Sequence, residues 1–236
     1  MNLFTSEIVG TFLLILLGNG VVANVVLNNT KGHNSGWIVI TFGWAMAAFV
    51  GVFVAAKWSG AHLNPAVTVA LAILKKISWD DVPQYIAGQM IGAMAGSIGV
   101  WAAYRQHFTV TDAPITKLAV FCTTPAIRSP FYNFLTETIG TFAFIFAILF
   151  IIAPSSSLGA LDALPVALLV LGIGLSLGGP TGYAINPARD LGPRIMHAVL
   201  PMGRKGSSDW KYCWIPVVGP LVGGALAALV FQLMMK

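Results

Sequence analysis

Long apolar runs broken by short polar clusters set the rhythm of this 236-residue chain. A helix needs roughly 20 apolar residues to cross about 30 Å of hydrocarbon at 1.5 Å per residue. Six stretches meet or approach that length: 8–27, 37–56, 84–104, 132–153, 164–177 and 215–235. The fifth is short and reads as starting earlier. The period-two alternation of a membrane β-barrel is absent. The pattern predicts an all-α membrane protein with six transmembrane helices. Glycines recur at four-residue spacing in Gly88, Gly92 and Gly96, and again in Gly219 and Gly223. Such spacing lets helix backbones approach closely in lipid.

Two further apolar pieces, 65–74 and 187–199, are too short to span. As helices they reach roughly 15–20 Å, about half the hydrocarbon thickness. Each is headed by Asn-Pro, in "GAHLNPAVT" (60–68) and "GYAINPARD" (182–190). Asparagine is a strong N-cap, and proline at the first helical position loses nothing, because its N–H would be unpaired there. Each piece reads as a half-helix starting at Asn64 or Asn186. The halves also repeat: "SEIVGTF" (6–12) returns as "TETIGTF" (136–142) at an offset of 130, and the Asn-Pro-Ala triplets lie 122 apart. Each half holds three full crossings, an odd number, so the second copy enters from the opposite face. The predicted organisation is one transmembrane unit over 1–236, with inverted repeats at about 1–110 and 130–236 and an extramembrane linker at 105–130.

Composition sharpens this picture. The chain is 57% hydrophobic and 9% charged, with mean hydropathy +0.81. A soluble domain carries about 25% charged residues. Thirteen basic residues without a dense cluster argue against nucleic acid. No P-loop, nucleophile elbow or metal-ligand pattern occurs, so no enzyme, cofactor or metal is expected. Cys122 and Cys213 read as unpaired thiols, and the N-terminus, with Glu7 and no basic run, as a retained span.

Half-helices entering from opposite faces meet with their N-termini at the centre. Irregular backbone at that depth survives only when buried or lining a cavity. The preceding segments, 60–63 and 182–185, are expected to be extended, with a ladder of acceptor carbonyls from Gly60, Ala61, His62, Leu63, Gly182 and Ala184. Two positive helix ends and the amides of Asn64 and Asn186 then donate to a passing oxygen and oppose a cation. The residues describe a pore for neutral solutes. Arg189, a charge at membrane depth, is expected to face that pore.

The motifs Asn64-Pro65-Ala66 and Asn186-Pro187-Ala188, the inverted repeat and "SGAHLNPAVT" resemble the major intrinsic protein family of aquaporins. "GPTGYAINPARDLGPR" is similar to its glycerol-conducting branch, the aquaglyceroporins, in which Asp190 follows the arginine. The resemblance covers essentially the whole chain. It implies a channel for glycerol, water and other small neutral solutes that excludes ions and protons. It also implies a constriction formed by Arg189, Trp44, Gly174 and Tyr183, located by counting from Asn64 and Asn186. Gly174 leaves space there, and Tyr183 stands where phenylalanine is more familiar. A homotetramer in the cell membrane, with cytoplasmic termini, is a further implication.

Glu7 and Glu137 are the acidic residues within the spans. They read as braces for the irregular loops, together with His62 and Asp190. The alternative is a proton-coupled transporter of a polyol or organic acid that uses the two carboxylates. The positive-inside rule opposes the family orientation. Lys57, Lys75, Lys76 and Lys236 share the side of the termini, while Lys31, Arg105, Lys117, Arg128, Arg204, Lys205 and Lys211 lie opposite.

Overall fold

The computed structural model describes residues 1–151 and 159–235. Every element among them is helical. Helix α1 (Leu3–Val26) and α2 (Trp37–Ser59) lead to the short α3 (Pro65–Ile73), followed by α4 (Val82–Ala103). The connection carries α5 (Arg105–Val110) and α6 (Pro114–Phe121). The second half runs α7 (Pro130–Ile151), a 3-10 turn (Gly159–Ala163), α8 (Leu164–Ser176), the short α9 (Pro187–Val199) and α10 (Trp214–Met234).

Five helices, α1, α2, α4, α7 and α10, are long and apolar enough to cross a membrane. The fifth predicted span is α8, extended toward its start by the 3-10 turn. The first span begins at Leu3 rather than at residue 8, because Asn2 Oδ1 accepts the Thr5 N–H at 2.9 Å and caps it. Ser6 and Glu7 are thereby helical and buried. Positions 152–153 of the fourth predicted span, and Lys236, lie outside the described residues.

The segment expected as a plain linker, 105–130, is partly helical and folds back on the body. Phe108, Leu118, Val120 and Phe121 are buried. The Asn28 N–H donates to Thr111 Oγ1 at 2.9 Å, tying the α1–α2 connection to this segment.

The halves interlock. Helix α1 packs on α2 and α4, and α7 packs on α10 and α8. Each half-helix then crosses over: α3 lies against α10, and α9 against α4. The spaced glycines serve this packing inside the subunit. A Cβ on Gly96 would lie 2.7 Å from Phe12 O, and one on Gly223 would lie 2.9 Å from Phe142 N. Gly96→Val is therefore expected to lose about 1–3 kcal/mol through overpacking, read as a lower unfolding midpoint in detergent. Gly172→Ala on α8 has no heavy atom within 4 Å of the new Cβ and should not lower it. Equal midpoints for the two variants would show that the α1–α4 seam can spread.

Candidate transmembrane pore

The two short helices begin side by side. Asn64 Oδ1 accepts the Ala66 N–H at 2.9 Å, and Asn186 Oδ1 accepts those of Ala188 and Arg189 at 3.0 and 3.2 Å. Pro65 and Pro187 are the first helical residues, buried with Ala66 and Ala188. The amides cross between the halves: Asn64 Nδ2 donates to Ile185 O at 2.8 Å, and Asn186 Nδ2 to Leu63 O at 2.7 Å. Each amide keeps a second N–H. Leu63, expected as a free acceptor, already receives one bond.

The segments before the asparagines are not extended. Gly60, Ala61 and Leu63 have φ of 79°, 51° and 51°; Gly182, Tyr183 and Ile185 have 83°, 39° and 44°. The physical reason is the carboxylate beneath each loop. Positive φ at these positions lets successive N–H groups converge, forming an anion-binding nest. Glu7 receives the N–H groups of His62 and Leu63 at 3.0 and 2.8 Å, plus Ser59 Oγ at 2.5 Å and Gln89 Nε2 at 2.8 Å. Glu137 receives those of Ala184 and Ile185 at 3.0 and 2.9 Å. The repeat is thus kept at the level of dihedral angles, although Ala61 and Tyr183 differ in side chain.

A cavity of about 530 Å³ runs past these loops. Gly60, Ala61, His62, Leu63, Asn64, Ala184, Ile185 and Asn186 contribute to its wall. Gly182 does not; its Cα hydrogens face Thr123, where a Cβ would meet Cγ2 at 3.3 Å. Trp44, Tyr183 and Arg189 line the same cavity. The Arg189 guanidinium carbon lies 4.4 Å from the Trp44 ring centroid. A desolvated pair of this kind contributes about 2 kcal/mol. Trp44 is buried, so it is no interfacial belt residue. Gly18 makes room for it, since a Cβ there would lie within 2.6 Å of three ring carbons. Arg189 Nη1 and the Tyr183 hydroxyl are buried without a hydrogen-bond partner among the described residues.

Gly174 is buried, and the hollow it leaves is not open to the cavity. Tyr183 fills it. A Cβ on Gly174 would lie 2.9 Å from Tyr183 Cζ and 2.8 Å from Thr41 Cγ2. The glycine corner therefore acts through the ring that occupies it.

Asp190 pairs with Arg194, not with Arg189. Arg194 Nη2 lies 2.8 Å from Asp190 Oδ1, with both side chains fully buried. The guanidinium also donates to Thr123 O, Ser208 O and Asp209 O at 2.9, 2.7 and 3.2 Å. Asp190 Oδ2 accepts Thr123 N and Oγ1 at 2.8 and 2.6 Å. This clamp ties two surface connections to α9. Arg194, Ser59, Gln89 and Thr123 are absent from the residues singled out by motif. Arg194 carried a signal, its place four residues after Asp190 on a helix.

The His62 Nδ1 lies 3.1 Å from Thr68 Oγ1, and its ring stacks on Tyr85 at 4.0 Å. His107 Nδ1 meets Asn28 O at 3.0 Å and His197 Nδ1 meets Ser208 Oγ at 2.9 Å, both structural contacts. Cys122 and Cys213 are free. No group of three metal-ligating residues occurs among the described residues.

Interlocked spans, two half-helices meeting end to end and a cavity past their N-termini define an α-helical membrane channel rather than an enzyme. The model of the family described as major intrinsic protein matches residues 1–231. A probable glycerol uptake facilitator protein of Thermotoga maritima is 53% identical, covering 98% of this chain and 99% of that one. The D/L-lactic acid transporter of Lactiplantibacillus plantarum is 41% identical over 94% of this chain and 93% of its own. The X-ray structure of the aquaglyceroporin from Plasmodium falciparum superposes with a TM-score of 0.85 at 33% identity, covering 97% and 94% of the two chains. The chain belongs to the major intrinsic protein family.

Proposed function

We propose that this protein is a passive channel of the cell membrane for glycerol, water and other small neutral solutes, closed to ions and protons. The observation that carries the reading is Arg189 Nη1, buried and unpartnered on the cavity wall beside two aromatic rings. A donor so placed, with the Asn64 and Asn186 amides further along, takes the hydroxyls of a polyol on one side. Trp44, whose ring face carries the guanidinium, and Tyr183 offer apolar wall beside it for the carbons. Two helix N-termini and the Arg189 guanidinium make the centre unfavourable for a cation. The relatives named for glycerol uptake support the substrate. Cytoplasmic termini and a homotetramer complete the proposal, on family grounds.

The proton-coupled alternative finds no support in the carboxylates. Glu7 receives four hydrogen bonds and Glu137 two backbone ones, and neither lines the cavity. Proteoliposomes test the reading. Gradient-driven glycerol flux should be indifferent to uncouplers and remain linear with concentration. Arg189→Val should admit protons while still passing glycerol. At an effective dielectric of about 20, a unit charge about 6–8 Å from a passing cation raises its barrier by about 2–3 kcal/mol, or roughly 30- to 160-fold in proton leak. Glycerol flux that collapses with the proton gradient would overturn the channel reading.

A second reading concerns undissociated lactic acid, favoured by the unpartnered Arg189 Nη1 on the cavity wall and by the 41% identical lactic acid transporter. The neutral acid is the form taken to pass, because a carboxylate leaves far more solvation behind on entering an apolar, aromatic-walled passage. Its flux at fixed total lactate should fall about tenfold per pH unit above a carboxyl pKa near 4. Flux that stays level from pH 5 to 7 would mean the anion passes.

A further inference from the structure

Trp37 opens α2 at the end of the cavity that holds the constriction, and its side chain is 40% exposed. An exposed tryptophan at a helix end is ordinarily a membrane-interface anchor, with its N–H turned to headgroups or water. This one turns its N–H inward. Nε1 donates to Gly174 O at 3.0 Å. That carbonyl belongs to the last turn of α8, where the carbonyls lack intrahelical donors. The indole also presents its edge to Tyr183, with centroids 5.7 Å apart and planes at 83°.

The surroundings form a socket. Gly178 is a second point of close approach: a Cβ there would sit 2.5 Å from Tyr183 Cδ1, 2.6 Å from Gly174 O and 3.0 Å from Trp37 Cζ2. Thr41, one turn along α2, closes the far side of the Gly174 hollow. Trp37, Thr41 and Trp44 thus share a face of α2 at helical spacing. Tyr183 has φ of 39°, so its position depends on what holds the ring as well as on its own backbone. Among these neighbours Trp37 alone is both hydrogen-bonded to α8 and in ring contact with Tyr183.

The geometry points to Trp37 as a positioning residue that sets the width of the constriction by fixing the Tyr183 ring against α8. This rests on the channel reading given under Proposed function. Trp37 touches no solute on its way through. It removes the space into which the ring would otherwise retreat, and it locks the last turn of α8 that forms the socket floor. Without it the ring swings outward, and solutes bulkier than glycerol gain most.

The test compares xylitol with glycerol permeability in proteoliposomes of wild type, Trp37→Phe and Trp37→Leu, each alone and combined with Tyr183→Leu. Trp37→Leu should raise the xylitol-to-glycerol ratio by at least about twofold, the low end of coupling between residues in contact. Trp37→Phe, which keeps a ring edge but loses the donor, should give a smaller rise. In the Tyr183→Leu background neither substitution should move the ratio further. A purely anchoring tryptophan would change protein density or all fluxes together, leaving the ratio where it was. An unmoved ratio in both single variants, or an equal shift with and without the Tyr183 ring, would overturn the assignment. Wild-type protein that passes no glycerol would overturn the channel reading itself, a result separate from wild-type flux with an unmoved ratio.

Discussion

Arg194→Leu is expected to cost about 3–5 kcal/mol, the loss seen when one partner of a buried ion pair is removed. Asp190 would then be a buried carboxylate whose remaining bonds come from Thr123 alone. Three carbonyls, of Thr123, Ser208 and Asp209, would lose their donor at the same time. Asp190→Leu should be similarly damaging, because it strands a fully buried guanidinium. The double variant Asp190→Leu/Arg194→Leu removes both charges and should recover part of the loss, though not the loop carbonyls. Thermal unfolding in detergent reads the three values. Additive losses would mean the pair carries no coupling and the clamp is merely packing. The exposed pair Arg204–Asp112, at 3.4 Å with both side chains over 80% exposed, offers a control. Breaking it should change stability by about 1 kcal/mol or less.

Gly174→Ala should cut glycerol permeability far more than water permeability. One methyl suffices, because its carbon would overlap Tyr183 Cζ at 2.9 Å and Thr41 Cγ2 at 2.8 Å. Thr41 is held on α2 by its Oγ1–H, shared between Trp37 O and Ile38 O of its own helix. The ring is the element free to yield, and it lies on the cavity wall. Pushed off α8, it moves into the passage. Overpacking costs about 1–3 kcal/mol, roughly a 5- to 150-fold effect if it falls on the barrier. A water molecule needs less of the lost width than a three-carbon chain does. Adding Tyr183→Val, which has no ring to displace, should restore glycerol flux. Equal loss of water and glycerol in Gly174→Ala would point to a closed or misfolded protein, and unchanged glycerol flux would separate Gly174 from the aperture.

Much of this arrangement was legible in the residues. Apolar length disclosed the spans, and Asn-Pro at the head of two short runs disclosed the half-helices, since capping chemistry is local. The 130- and 122-residue offsets disclosed the inversion. What stayed hidden depended on groups far apart in the chain. The loops before Asn64 and Asn186 are nests rather than strands because Glu7 and Glu137 draw their N–H groups together. The carboxylates were read as braces, yet the handedness they impose on Ala61 and Tyr183 has no local mark. Counting put Gly174 in the constriction, whereas only packing shows Tyr183 inside its hollow. Thr123, in a segment that reads as a linker, becomes half of a clamp once Arg194 is buried beside it. The linker itself is helical because apolar side chains such as Phe108 and Phe121, scattered in sequence, find a common face.

The crossed asparagine bonds also set a clock. Asn64 Nδ2 waits for the carbonyl of Ile185, 121 residues later in the chain. At about 5–20 residues per second of synthesis, the first re-entrant loop exists for roughly 6–24 s before its partner has been made. During that interval the half-helix α3 has neither Ile185 nor the α10 surface on which it finally rests. Assembly of the centre is therefore an event of the completed chain, and the first half must be kept from committing to lipid in the meantime.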